Sequence, residues 1–356
     1  MNKKMDSNRI LYLDVLRVVA CILVAMVHVS AQHIYDAPAG TFFFGTHAAF
    51  DCLGFSGVAL YFMISGTLML DAKKAVTIRS VLKRVLHFYF LFFFWKFIFY
   101  LFVGLTSDIP MNVAFWKDTI VNVFSGRGHY HLWFLPTIAV VYLFIPMIKK
   151  SVESDKKVCL YYVAIFFVID VLARTMLMFD NKISELLRGF LTYNDFFLFT
   201  GYLGYFVWGH YLHTYGSEIS KPVRIVIYML AIAMLPLSGL ADTYFSTSKG
   251  VFDISMNTPM GLTSFVTVTA IFLFVKNARM PSNKVVCRCL MAGSSMTLGI
   301  YLIHPMVIVF TEKIGFNSLL FAPVLSLPVV SIAVAIISAV PVFILMKIPV
   351  VRKIVT

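Results

Sequence analysis

The chain has 356 residues, of which 60% are hydrophobic and only 13% charged, and its formal net charge is +13. Soluble domains are about 45–50% apolar and about 25% charged, and a single globular core stops growing beyond about 250–300 residues. The composition therefore excludes a soluble enzyme, a disordered protein and a nucleic-acid binder, and it indicates a polytopic membrane protein.

Ten apolar runs follow one another along the chain, each long enough to cross a bilayer as a helix of about 20 residues. Helices satisfy their own backbone hydrogen bonds in lipid, whereas open strands do not. We therefore predict an all-α, polytopic integral membrane protein with about ten transmembrane helices, built as a single membrane-embedded domain over residues 1–356. The predicted spans are 10–32, 50–70, 85–104, 131–148, 158–178, 196–213, 223–240, 258–275, 293–311 and 318–346.

Lys and Arg residues are distributed unevenly between the two sides of these spans. Of the 30 in the chain, 21 fall in the connections on one side and 7 on the other, while Arg17 and Lys96 lie within spans. Positively charged connections stay on the cytoplasmic side of a membrane, so both termini are predicted to be cytoplasmic. The outer connections then hold Lys117, Arg127, Arg174, Lys182, Arg188, Lys249 and Lys313.

The first span is the richest in ionisable residues, with Asp14, Arg17 and His28. A charge at the centre of a membrane helix costs about 2.5–3.5 kcal/mol on insertion scales, so each is a functional hypothesis. Arg17 and His28 are eleven residues apart, which places them on one helix stripe with an axial separation of roughly 16 Å. We interpret Arg17 as an anion-binding group near the cytoplasm and His28 as a proton-transfer group further out. The alternative is a structural Asp14–Arg17 ion pair beside a packed histidine.

Other ionisable residues inside the spans have weaker interpretations. His304, in the ninth span, either binds the acceptor or orients His28; the alternative is a hydrogen bond between helices. Asp170 and Arg174 are four residues apart and are predicted to form a structural pair. Lys96 lies in the middle of the third span, where it either snorkels or meets a carboxylate.

Two groups near span ends also have two interpretations each. Arg79, Lys83 and Arg84 precede the third span and share one side of a helix. They are either ordinary positive-inside charges or a clamp for ligand phosphates, which the guanidinium fork suits. His131 and Trp133 begin the fourth span, where such rings are either interface anchors or stacking surfaces for sugars.

Four motifs occur in a fixed order over nearly the whole chain. They are Arg17-x10-His28, the string GVALYFMISG at residues 57–66, His131-Leu132-Trp133-Phe134-Leu135, and Tyr301-Leu302-Ile303-His304-Pro305. Together they resemble the motifs of the membrane acyltransferase 3 family, and in particular of its O-acetyltransferase branch. In this resemblance His28 and Arg17 match the essential histidine and arginine of the family.

The resemblance implies an acyltransferase in the cell (cytoplasmic) membrane. It would move an acyl group, usually acetyl, from cytoplasmic acyl-CoA to a hydroxyl of a cell-surface or lipid-linked glycan. His28 would act as general base on the acceptor hydroxyl, or would itself be acetylated transiently. Acetyl-CoA is the expected donor, membrane lipids are the expected surroundings, and no permanently bound cofactor is expected.

The expected site residues fall into three sets. The catalytic set is His28, Arg17, Asp14 and His304. The donor-binding set is Arg17, Arg79, Lys83, Arg84 and Ser65, and the acceptor-binding set is His131, Trp133 and Tyr301. No metal is expected, because Cys287-x-Cys289 lacks the two further ligands of a zinc site.

Two functions of other classes remain open on the sequence alone. A transporter or exporter of a small polar solute can use the intramembrane Arg17 and His28 as a relay. Such a protein usually has inverted repeats with broken helices at mid-membrane, and no matching pair of Gly- or Pro-interrupted spans is visible here. A membrane sensing module without catalysis is the third possibility.

Overall fold

The computed structural model describes residues 9–107, 109–125, 128–152, 155–179, 181–193 and 201–355, and it has helices and no strand in these ranges. The predicted all-α fold class is therefore confirmed. Lys3, Lys4 and Arg127, which contribute to the charge asymmetry, lie outside the described residues, as do residues 196–200 of the sixth predicted span.

Fourteen α-helices are present in the described part of the chain. They are α1 (Leu11–His33), α2 (Phe42–Met69), α3 (Ile78–Thr106), α4 (Val113–Ser125), α5 (Phe134–Val152), α6 (Lys156–Phe166), α7 (Ala173–Met176), α8 (Lys182–Tyr193), α9 (Gly201–Tyr215), α10 (Lys221–Lys249), α11 (Leu262–Asn277), α12 (Lys284–Lys313), α13 (Pro323–Leu345) and α14 (Pro349–Arg352). A π-helical turn at Phe167–Leu172 joins α6 to α7.

Eight helical segments of the described residues are long and apolar enough to cross a membrane, so the chain is a multi-pass membrane protein. They are α1, α2, α3, α5, the continuous segment Lys156–Met176, α10, α12 and α13. The two other predicted spans coincide with the shorter helices α9 and α11. Helices α4 and α8 lie in predicted outer connections, where the sequence analysis placed no element.

The chain divides into two compact units, Met1–Leu68 with Lys156–Thr356 and Met69–Asp155. In the first unit, α1 packs against α12 and α13, and α10 packs against α11. In the second unit, α3 packs against α4 and α5. The single domain over residues 1–356 stays a prediction.

Helices α1 and α12 run parallel, since residue numbers rise together along their contacts. The contacts join Asp14 to Ser294, Cys21 to Thr297, His28 to His304 and His33 to Glu312. These helices correspond to the first and ninth predicted spans, which the predicted topology requires to be parallel.

Helix α2 crosses α1 and α9 at glycines that leave no room for a side chain. A Cβ at Gly54 would lie 2.6 Å from the backbone nitrogen of Val27 in α1. A Cβ at Gly66 would lie 1.7 Å from the carbonyl oxygen of Phe206 in α9. Backbones that approach so closely need small residues at the crossing, as in other membrane bundles. These crossings fix the position of α2 beside the candidate site.

Candidate active site

Asp14 is fully buried near the beginning of α1 and is surrounded by donors. The Nε and Nη2 atoms of Arg9 donate to its two carboxylate oxygens at 2.8 and 2.9 Å. Arg17 Nη1 donates to Oδ1 at 3.3 Å, and the Ser294 hydroxyl donates to the same oxygen at 2.6 Å. The predicted Asp14–Arg17 pair is confirmed. The sequence analysis missed Arg9 and Ser294, which make the pair a junction between α1 and α12.

Arg17 remains available to a ligand, because 30% of its side chain is exposed. Among the described residues its hydrogen bonds use Nη1 alone, to Asp14 and, at 3.4 Å, to Ser294. A guanidinium carries five N–H donors in a planar fork. Arg17 therefore keeps donors for an anionic group while Asp14 holds its position.

The structure brings His28 and His304 together, although the sequence places them in separate motifs. Their rings stack with centroids 5.1 Å apart and an interplanar angle of 23°. His304 is buried, whereas His28 is partly accessible. His28 is therefore the ring that an acceptor can reach, and His304 is the ring that supports it.

Pro305 explains how His304 is oriented. A proline has no N–H, so Pro305 cannot make the helical hydrogen bond to the carbonyl of Tyr301, four residues earlier. The Nδ1 of His304 lies 2.7 Å from this carbonyl oxygen and 3.2 Å from that of Ile300. Because a carbonyl oxygen only accepts, Nδ1 carries the hydrogen. Tyr301, predicted to bind an acceptor, is buried and thus contributes its backbone to the site.

Helix α2 places a hydroxyl against α1 at the position of Arg17. Tyr61 Oη donates to the Arg17 carbonyl oxygen at 3.5 Å. Ser65, predicted to bind the donor, lies one turn further along α2 and is partly buried. The sequence analysis missed Tyr61, although it quoted the motif that contains it. The signal was its hydroxyl, which with that of Ser65 is one of two side-chain hydroxyls in this apolar string.

The predicted phosphate clamp lies in the second unit. Arg79, Lys83 and Arg84 are exposed in the first two turns of α3, which has no acidic residue in its first turn. Cations are unfavourable at a helix N-terminus, where the helix dipole is positive. These three cations therefore do not stabilise α3, and the surface that they form attracts anions.

Lys96, which the sequence left open, is buried within the second unit and does not snorkel. Its ammonium group donates to the Val123 carbonyl at 3.0 Å and lies 5.3 Å from the ring centroid of Phe92. Val123 belongs to α4, so this hydrogen bond joins α3 to a helix that the sequence analysis did not predict.

The predicted acceptor contacts His131 and Trp133 differ in exposure. His131 is 1% exposed, and its Nδ1 lies 2.9 Å from Nδ1 of His129. Phe99 stacks on His129 with centroids 4.2 Å apart. Burial lowers the pKa of His129 to about 4, so the His129 ring is neutral at physiological pH. Trp133 is 37% exposed and is the more accessible of the two predicted contacts.

The sequence analysis did not identify two carboxylates that are buried in the structure. Asp51 in α2 accepts a hydrogen bond from the Ser30 hydroxyl at 3.0 Å, and Asp242 in α10 accepts one from the Met256 N–H at 2.9 Å. Neither has an ion-pair partner within the described ranges. Asp51 is the second residue of the predicted span 50–70, and Asp242 lies two residues beyond the predicted span 223–240. Among the residues that the structure covers, no three His, Cys, Asp or Glu side chains group as a metal site needs.

The intramembrane pair Asp170–Arg174 is confirmed, with 3.0 Å between Arg174 Nε and Asp170 Oδ1. The Gly201 N–H donates to the other oxygen of Asp170 at 2.5 Å. This carboxylate therefore links the π-helical turn to the beginning of α9, and its role is structural.

Comparison with known proteins adds the class of reaction. A family model described as an acyltransferase domain matches residues 10–347, which is nearly the whole chain and includes every predicted site residue. No curated protein and no solved structure matches the chain. The chain belongs to the acyltransferase 3 family and is a membrane acyltransferase.

Proposed function

We propose that this acyltransferase is an O-acetyltransferase of the cytoplasmic membrane. It moves an acetyl group from cytoplasmic acetyl-CoA to a hydroxyl of a cell-surface or lipid-linked glycan. The observation that carries the proposal is the stacking of His28 on His304 of α12, with centroids 5.1 Å apart, because His28 shares helix α1 with Arg17. The motif resemblance to the O-acetyltransferase branch supports acetyl as the group transferred.

In the proposed reaction His28 acts as general base. Its imidazole takes the proton of the acceptor hydroxyl while the hydroxyl oxygen attacks the thioester carbonyl carbon. The carbon–sulfur bond breaks, CoA leaves as a thiolate, and the proton from the imidazole passes to the sulfur. His304 stacks on His28 and is itself fixed through Nδ1 to the Tyr301 carbonyl. A rotationally fixed base supplies the alignment that proton transfer requires.

The proposed donor contacts begin with Arg17. Its unused guanidinium donors suit a phosphate or the polar arm of CoA, and Ser65 offers a hydroxyl in α2 of the same unit. Arg79, Lys83 and Arg84 are proposed as phosphate contacts of the second unit. Asp14 holds Arg17 through the 3.3 Å contact and is proposed to act through it.

The proposed acceptor contact of the second unit is Trp133, because His131 is 1% exposed. In the first unit the backbone of Tyr301 fixes His304. Membership of the family favours this interpretation over the solute transporter. An acyltransferase and a transporter would both need His28, so loss of function in a His28 variant does not distinguish them. The product that the protein forms does.

Wild-type membranes supplied with acetyl-labelled acetyl-CoA and their own glycans are expected to yield labelled, acetylated glycan. The physical reason is that α1 carries both a general base, His28, and an anion-binding arginine, Arg17, separated by roughly 16 Å along the helix. Mass spectrometry of the glycans checks the result. Movement of an intact solute into vesicles with no labelled product would contradict the proposal and support the transporter.

Arg17→Ala is expected to weaken acetyl-CoA binding, because removing one partner of a charged contact typically costs about 2–5 kcal/mol. Arg17 is partly exposed, so we expect the lower end of this range, or about thirtyfold in Kd. Isothermal titration of acetyl-CoA into the solubilised protein measures it.

Arg9→Ala is the matched control, since Arg9 pairs with the same carboxylate of Asp14. If Arg17 serves only to neutralise Asp14, both variants lower stability and leave donor affinity unchanged. A selective loss of affinity in Arg17→Ala separates donor binding from support of Asp14.

A further inference from the structure

An exposed pair of aromatic rings lies beyond the C-terminal end of α1. Tyr35 and Phe252 stack with centroids 4.5 Å apart and an interplanar angle of 26°. Tyr35 is 66% exposed and Phe252 40% exposed. Aromatic rings carry a large apolar area, which is unfavourable in water unless another surface covers it. The pair therefore offers a flat face to a ligand.

A small apolar core holds these rings in place. The buried side chains below them are those of Ile34, Ala37, Phe44 and Ala48, with Phe43 and Ile254 packed against them. Phe44 meets Phe252 edge-on at 5.7 Å. The loop that carries Phe252 is tied by the ion pair between Lys249 and Asp253, at 2.7 Å. The stacking face is thus formed before any ligand arrives, which lowers the entropic cost of binding.

A chain of hydrogen-bonding groups begins at the residue after Tyr35. Asp36 follows Tyr35 in the chain, and its 73% exposed carboxylate lies 3.1 Å from His33 Nδ1. His33 Nε2 lies 3.2 Å from Glu312, and the Asn317 amide donates to Glu312 at 2.8 Å. We call this surface the aromatic–acidic rim; it comprises Tyr35, Phe252, His33, Asp36, Glu312 and Asn317.

The aromatic–acidic rim lies at the end of the two helices that carry the histidine pair. His33 is five residues beyond His28 on α1, and Glu312 is eight residues beyond His304 on α12. At 1.5 Å per residue these steps are about 7.5 and 12 Å. Because the two helices are parallel, both steps lead from the stacked histidines toward the rim.

We propose that the aromatic–acidic rim binds a hydroxyl-rich pyranose ring of the acceptor, an inference that rests on the proposed function. The C–H face of a pyranose is apolar and stacks on the outer face of the exposed Tyr35 ring, whose other face packs on Phe252, while its hydroxyls donate to Asp36 and Glu312. Hydrogen bonds to charged acceptors are stronger than neutral ones. The two carboxylates repel a phosphorylated or carboxylated sugar, so the rim selects an uncharged or cationic one.

Sugar binding is tested on the whole protein in lipid nanodiscs free of glycoside detergents, with methyl β-glucopyranoside as the probe. Saturation-transfer NMR is expected to show wild-type protein in contact with the C–H protons of the probe. Tyr35→Ala and Glu312→Gln are expected to lose most of the signal, whereas Tyr35→Phe keeps the ring and retains it. Phe42→Ala removes an aromatic ring that is 75% exposed outside the rim, and it is expected to bind normally. Glucose 6-phosphate is expected to bind more weakly than the methyl glucoside.

Acyl-transfer kinetics provide the second readout. Tyr35→Ala and Glu312→Gln are expected to raise the acceptor KM about tenfold, with acetyl-CoA affinity unchanged. If sugar contact and KM are unchanged while Tyr35→Ala alters membrane insertion, the rings are interface anchors and the proposal is wrong. Wild-type protein that binds the probe through the rim but transfers no label would overturn the proposed function and leave the rim standing.

Discussion

His28→Ala is expected to bind acetyl-CoA as the wild type does and to transfer acetyl about 10²–10⁴-fold more slowly. The imidazole lies roughly 16 Å along α1 from Arg17, so its loss leaves the donor contact intact. It removes the group that takes the acceptor proton. Label transfer from acetyl-CoA in membranes measures the rate, and titration of the purified variant measures donor affinity.

His47→Ala is the matched control for loss of an imidazole. His47 is buried in α2, where its ring nitrogens lie 3.0 Å from the Phe43 carbonyl and 3.2 Å from the Ser318 hydroxyl. Its loss is expected to lower stability and to leave the transfer rate per folded molecule close to that of the wild type. A wild-type rate in His28→Ala would show that the base has been assigned to the wrong residue.

His304→Ala adds a second test of the same pair. Because His304 acts by holding His28, its removal in the His28→Ala background is expected to cost little more. The single variant is expected to lose rate without losing donor affinity. Independent, multiplicative losses would instead indicate that the two rings serve separate steps.

The sequence predicted those parts of the molecule that depend on local pattern. The first span was predicted at 10–32 and is observed at Leu11–His33, because its apolar run has sharp ends. The spacing of Arg17 and His28 fixes their common stripe in any regular helix. The Asp14–Arg17 and Asp170–Arg174 pairs follow from three- and four-residue spacing and are present.

Contacts between distant segments could not be predicted in this way. Ser294 donates to Asp14 across 280 residues of chain, and no spacing rule connects the two. The stacking of His28 on His304 likewise needed the packing of α12 on α1. Asp51 was missed because α2 begins at Phe42, eight residues before the predicted span, so the helix carries this residue into a buried position.

Asp14→Asn is expected to lower the free energy of unfolding of the first unit by about 3 kcal/mol. Removing one partner of a buried ion pair typically costs about 3–5 kcal/mol, because the other charge is left uncompensated. Here two guanidinium groups would lose their carboxylate, but Arg9 and Arg17 are 37% and 30% exposed, so water offsets part of the cost. Thermal and chemical unfolding of the protein in nanodiscs measures the change.

The controls decide whether Asp14 acts through structure or through chemistry. Asp118→Asn changes an exposed carboxylate and is expected to leave stability unchanged. Arg9→Ala combined with Asp14→Asn should cost less than the sum of the single changes, because the two residues are partners. If Asp14→Asn unfolds like the wild type yet transfers no acetyl group, the carboxylate takes part in the reaction itself. If instead Asp14→Asn is less stable, and its transfer rate per folded molecule falls only because Arg17 is less well aligned, Asp14 is a positioning residue.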